Sequence, residues 1–96
     1  MNDPVITMIV LDVLKPHSPT LPDFALFLAE LDGVEEVDVS LDERDEKTSS
    51  LKIVVSGPSI DYEALREQIA KQGAVIHSVD HVCVERARER IVARID

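Results

Sequence analysis

Leu11-Asp12-Val13-Leu14-Lys15-Pro16-His17 leaves a strand, and Gly73-Ala74-Val75-Ile76-His77-Ser78-Val79-Asp80 enters one. Each segment flanks a strand–helix–strand half, and together they put two histidines and two aspartates at or near strand ends. Upstream of the first, Val5 to Leu14 is an almost unbroken apolar run rich in β-branched residues and stopped by Lys15-Pro16. That is the pattern of a central strand buried on both faces.

Downstream, Thr20 is a good N-cap with Asp23 three residues on, and Pro22 is tolerated in a first helical turn. Leu21, Phe24, Leu28 and Leu31 form the inward stripe, Leu26 and Phe27 widen it, and Asp32-Gly33 closes the helix. A second strand starts near Val34, where Val37, Val39 and Leu41 alternate with Asp38, Ser40 and Asp42. Residues 43–49 read as a polar hairpin tip. The third strand alternates Leu51, Ile53 and Val55 with Ser50, Lys52 and Ser56, and ends at Gly57-Pro58. Asp61 caps a second helix, with Ile60 and Leu65 placed as a hydrophobic staple and Gly73 suited to the left-handed C-cap. A fourth strand runs from about Val75 to Val84, and Ala87, Ile91 and Ile95 at i, i+4, i+8 predict a short C-terminal amphipathic helix.

The order is β-α-β-β-α-β plus a tail. Right-handed crossovers around a middle hairpin predict an α+β, ferredoxin-like βαββαβ sandwich with antiparallel sheet order 4-1-3-2 and both helices on one face. The expected division is a ferredoxin-like domain at residues 1–84 and a helical tail at 85–96. The helices should cover Val37, Val39, Leu41, Leu51, Ile53 and Val55. Strand one sends Ile9, Leu11 and Val13 to that face and Ile6, Met8, Val10 and Leu14 to the other. The open face is then half apolar, which calls for cover by the tail or by another subunit. Subunit contact is the preferred reading, with Met8, Val10, Phe27, Ile91 and Ile95 as interface residues.

Composition narrows the function classes. The chain has 96 residues, one domain's worth, of which 45% are hydrophobic and 3% aromatic, with no Trp. So few aromatics disfavour base-stacking single-strand binders. A net charge of −9 repels nucleic-acid backbones and anionic membranes and favours cations. Residues 1–84 carry six Lys or Arg against sixteen Asp or Glu, whereas 85–96 carry four Arg against three acids. The one cysteine, Cys83, permits no intramolecular disulfide and no CxxC motif. The start, Met1-Asn2-Asp3-Pro4, lacks a basic leader, and the run after it is interrupted by Asp12 and Lys15. The expectation is a cytoplasmic protein without a membrane span.

Three residue groups are candidates for chemistry. If Leu14 lies opposite Val75, Asp12 falls opposite His77, with His17 just beyond and Lys15 nearby. Such a set could hold a divalent ion (calcium, magnesium or zinc), or Asp12 could pair structurally with His77 or Lys15. The acids Asp38, Asp42, Glu43, Asp45 and Glu46 could bind a hard cation, but they lack an EF-hand pattern, and the preferred reading is a solvated charged edge that discourages strand pairing. His81 and Cys83 are two ligands, too few for a structural zinc site, and Cys83 reads as a buried thiol. No nucleophile–base pair, phosphate-cradling glycine loop or HExxH is present, so no enzymatic activity is expected.

Leu11-Asp12-Val13-Leu14-Lys15-Pro16-His17, Gly33-Val34 with Val37, and Ile76-His77-Ser78-Val79-Asp80 resemble the domain-of-unknown-function 211 family, small and mainly archaeal proteins of ferredoxin-like fold. The likeness spans Leu11 to Val84. It implies ring-forming homo-oligomers, divalent-cation binding in some members, and no known catalysis. The family's motif positions map onto Asp12, His17, His77 and Asp80, while His81 stands where the family is associated with an acid. The spacing of Gly33-Val34 to Val37-Asp38-Val39 also looks like heavy-metal-associated domains, but the loop Lys15-Pro16-His17-Ser18-Pro19 has no cysteine for copper. By analogy of fold alone with ligand-sensing modules such as the ACT domain, a regulatory protein with small-molecule sites between subunits is the alternative. A small metal-dependent enzyme is the remaining class, and it lacks both a full ligand set and a general base.

Overall fold

The structure, a computed structural model, describes residues 3–86. Six elements follow in order: β1 (Pro4–Pro16), α1 (Leu21–Leu28), β2 (Glu36–Arg44), β3 (Thr48–Ile60), α2 (Tyr62–Lys71) and β4 (Val75–Arg86). The four strands form one sheet in the order β2-β3-β1-β4, with every neighbouring pair antiparallel. This is the expected βαββαβ order, read from the opposite edge. The tail's predicted helix, with Ile91 and Ile95, lies outside the described residues. Glu85 and Arg86, assigned to the tail by sequence, instead complete β4, where they pair with Val5 and Pro4.

The core forms where strand alternation meets the helical stripes. Ile9, Leu11 and Val13 of β1 and Leu51, Ile53 and Val55 of β3 are buried against Phe24 and Leu28 of α1 and Leu65 and Ile69 of α2. Each such side chain contributes roughly 1.5–3 kcal/mol on burial. The caps hold as their residue types dictate. Thr20 Oγ1 accepts from Asp23 N at 3.3 Å, and Asp61 Oδ1 accepts from Ala64 N at 3.2 Å. Ile60 and Leu65 are both buried around that second cap. At the far end of α2, Gly73 adopts φ 78°, while Gly73 N donates to Ala70 O and Ala74 N to Ile69 O. Two carbonyls that the helix end leaves open are thereby satisfied.

Four local expectations change. Helix α1 stops at Leu28, and turns carry the chain on to Leu31, which still packs against the core. A bulge between Ile6 and Met8 reverses the side-chain parity of β1. Ile6 therefore packs with the core beside Ile60 rather than on the open face. Leu41, expected under the helices, keeps its register with the buried Leu51 but is 50% exposed on the edge strand β2. The strands also continue to Arg44 and resume at Thr48, so the hairpin tip is shorter than the polar run 43–49.

Candidate functional site

Lys15 continues the inward alternation of Leu11 and Val13, so its side chain runs beneath the β1–α1 loop and is 2% exposed. Among the described residues its ammonium has no carboxylate partner. It donates instead to Pro16 O at 2.7 Å, to His17 O at 3.3 Å and to Pro19 O. One cation thus gathers three carbonyls of a loop that contains a cis Ser18–Pro19 peptide. Burial pushes the Lys15 pKa below the usual lysine range, and the Arg44 guanidinium adds to the effect. His17 leads away from this loop, and its Nε2 donates to Asp45 O at 2.9 Å. The β1–α1 loop is thereby tied to the β2–β3 hairpin.

The second grouping lies on the open face of the sheet. Lys52 of β3 reaches across β1 to Asp80 of β4, with Nζ 3.2 Å from Oδ2, and Ser78 Oγ donates to Asp80 Oδ1 at 2.8 Å. The hydroxyl of Ser78 and the ammonium of Lys52 hold the Asp80 carboxyl below the ordinary carboxylate range, with the charge of His77 contributing in the same direction. Asp12 sits between these strands, registered with both Lys52 and Ser78.

The expected meeting of Asp12 and His77 does not form. Leu14 does pair with Val75, but β4 bulges between the partners of Val13 and Asp12, so Ser78 rather than His77 stands opposite Asp12. A second bulge follows between the partners of Leu11 and Val10. With His17 committed to the hairpin, Asp12, His17 and His77 are not brought together. Among the described residues no three His, Cys, Asp or Glu side chains are grouped so as to hold a metal ion. Asp38 and Asp42 are exposed along β2, and Asp45 is exposed at the hairpin tip. Cys83 is half-buried rather than fully buried; it registers with Met8, and His81 registers with Val10. Lys15, expected only as a neighbour of Asp12, is the centre that organises the β1–α1 loop. The signal for it is the odd-numbered alternation Leu11, Val13, Lys15.

A family model described as DUF211, uncharacterized ArCR, matches residues 7–95. The chain belongs to this family. It is also 39% identical over 77 residues to an uncharacterized protein of Methanocaldococcus jannaschii, covering 80% of this chain and 79% of that relative. In this DUF211 member the Lys-Pro-His stretch organises a loop, and the Ile-His-Ser-Val-Asp stretch supplies the β4 bulge together with Ser78 and Asp80. Among the described residues, no helix is long and apolar enough to cross a membrane.

The remaining surface features are apolar. The edge strand β4 has Val75, Val79, Val82 and Val84 at 63%, 44%, 43% and 56% exposure. Val79, Val82 and Val84 register with Leu11, Ile9 and Ile6, so they point to the helix side of the sheet as an uncovered extension of the core. On the open face, Met8 and Val10 are half-buried and Leu14 is exposed. Phe27 is half-buried, and its carbonyl accepts from Gln68 Nε2 at 3.2 Å. Leu26, beside it, points outward at 67% exposure. A cleft of about 450 Å3 lies between α1 and the outer edge of β2.

Proposed function

We propose that this protein is a non-enzymatic, cytoplasmic, self-assembling protein whose working form is a homo-oligomer. The observation that carries the reading is the valine row of β4. It is three exposed β-branched side chains, Val79, Val82 and Val84, on the helix side of a twelve-residue strand whose outer edge has no strand partner among the described residues. Such an edge recruits another chain unless it is covered or charged. The half-apolar open face of β1 adds surface of the same kind. The charged groups on that face support a structural role, since Asp80 is satisfied by Ser78 and Lys52. A divalent ion bound by this protein would take its ligands from two subunits, in keeping with the spacing of Asp12, His17, His77 and Asp80 within one chain.

The test is the mass of the purified protein by multi-angle light scattering, alongside Val79→Lys with Val82→Lys. The reading expects a discrete multi-subunit mass that the paired substitution reduces by at least one subunit step. A native chain that stays monomeric at tens of micromolar overturns it.

A further inference from the structure

The cleft beside β2 has the form of a strand-addition site. It is lined by Leu21, Pro22 and Ala25 of α1 and by Glu36, Val37, Asp38 and Val39 of β2. Strand β2 is the sheet edge opposite β4, and its outer backbone groups have no strand partner among the described residues. Val37 and Val39 register with the buried Val55 and Ile53, so they face the helix side. Glu36 and Asp38 register with Ser56 and Val54 and face the open side. An extended segment laid along this edge would gain backbone hydrogen bonds. Its alternate side chains would meet an apolar groove on one face and two carboxylates on the other.

Residues 87–96 have the complementary pattern. Read at a period of two, Ala87, Ile91, Ala93 and Ile95 share one side with a single acid, Glu89, and Arg88, Arg90 and Arg94 share the other with Val92 and the terminal Asp96. We propose that residues 87–96 of one copy add as a strand to the α1–β2 edge of a second copy, with the apolar side in the groove and the arginines beside Glu36 and Asp38. This rests on the self-assembly reading above and names a second joint for it.

Reach favours a second copy over the chain's own edge. Strands are about 4.8 Å apart, so a tail leaving β4 must cross about 19 Å to lie outside β2 of its own sheet. At about 3.3 Å per residue that consumes about six of the ten residues, including Arg88, Arg90 and Ile91. Folding back on β4 is also disfavoured, because residues 87–95 contain no Gly, Pro, Asn, Asp or Ser to make the hairpin turn. A tail carried from one edge of one molecule to the opposite edge of the next is a heterologous contact, and such contacts close into rings when the rotation permits.

The experiment uses full-length chains with paired charge reversals: Glu36→Lys with Asp38→Lys in one, and Arg90→Glu with Arg94→Glu in the other. All four positions are read by native mass spectrometry of each variant and of their equimolar mixture. Each reversal alone should weaken assembly about tenfold or more in apparent affinity. The mixture should recover mixed assemblies, because the reversed tail of one chain suits the reversed edge of the other. Unchanged assembly in both variants overturns the tail contact while leaving self-assembly through β4 standing. Weakened assembly without recovery in the mixture overturns it too. A native chain that is monomeric removes both readings, and the light-scattering measurement above shows that separately.

Discussion

Lys52 Nζ lies 3.2 Å from Asp80 Oδ2, so the two outer neighbours of β1 are joined across it by a charged bridge on the open face. Both side chains are substantially exposed, and a pair of this kind adds little to stability by itself. Its consequence is positional: it fixes Asp80, and with Ser78 it settles how the bulged part of β4 presents its carboxylate beside Asp12.

The pH behaviour of Asp80 follows from these partners. Its folded pKa is depressed, first by the Ser78 hydrogen bond and then by Lys52. A depressed carboxyl contributes fully above the unfolded-state pKa and loses that contribution as pH falls through the folded value. The pairing is therefore complete at neutral pH and fades only below the ordinary carboxylate range. Carboxyl-carbon NMR titration should find the Asp80 midpoint moving upward in Ser78→Ala and again in Lys52→Met. A midpoint unmoved by both variants would refute the assignment.

Lys15→Met keeps the buried aliphatic stem and removes the ammonium. It leaves the carbonyls of Pro16, His17 and Pro19 without their shared donor. Leaving buried acceptors unmet costs about 1–3 kcal/mol, so the variant should unfold at lower denaturant with an unchanged m-value. Amide exchange in the β1–α1 loop and at the hairpin near Asp45 should quicken together, because His17 links the two. Quickening in one segment alone would contradict the link.

Gly33→Ala should destabilise the fold by more than the ordinary Gly-to-Ala difference. Gly33 adopts φ 86°, and a Cβ there would overlap the Ser59 carbonyl oxygen. The neighbouring approach is equally close, since a Cβ on Gly57 would meet the Gly33 carbonyl. A loss of at least about 1 kcal/mol is expected in chemical unfolding. A neutral or stabilising result would show that the turn leading into β2 can move away from β3.

Phe24→Ala removes the largest fully buried side chain, from the helix that walls the β2 cleft. Its cost should be about 3–5 kcal/mol, a large share of a small domain's stability. A substitution of Leu26, outward on the same helix, to Lys should change stability by no more than about 0.5 kcal/mol. Similar losses from the two would mean that α1 is rotated from the orientation described.

The element order, both N-caps, the Gly73 C-cap and the core faces of β1 and β3 were legible because each follows from local chemistry: alternation, capping side chains and a glycine at positive φ. Strand bulges have no such local signature. The one between Ile6 and Met8 moved Ile6 into the core, and the one beside Asp12 exchanged His77 for Ser78 as its partner. Each adds a single residue and so inverts every inference drawn from counting in twos. The family assignment was legible from three short motifs, yet their physical roles were not. Lys15 is read correctly only once the loop carbonyls are seen to converge on it. Asp80 is read correctly only once Lys52 is seen to cross β1.

Native mass spectrometry of the unmodified full-length protein at micromolar concentration, before and after chelation, tests the central claim most directly. The account predicts a discrete multi-subunit mass, with any ion lost on chelation having been held between subunits. A bare monomer throughout would contradict it, because the exposed Val79, Val82 and Val84 of β4 would then need no partner.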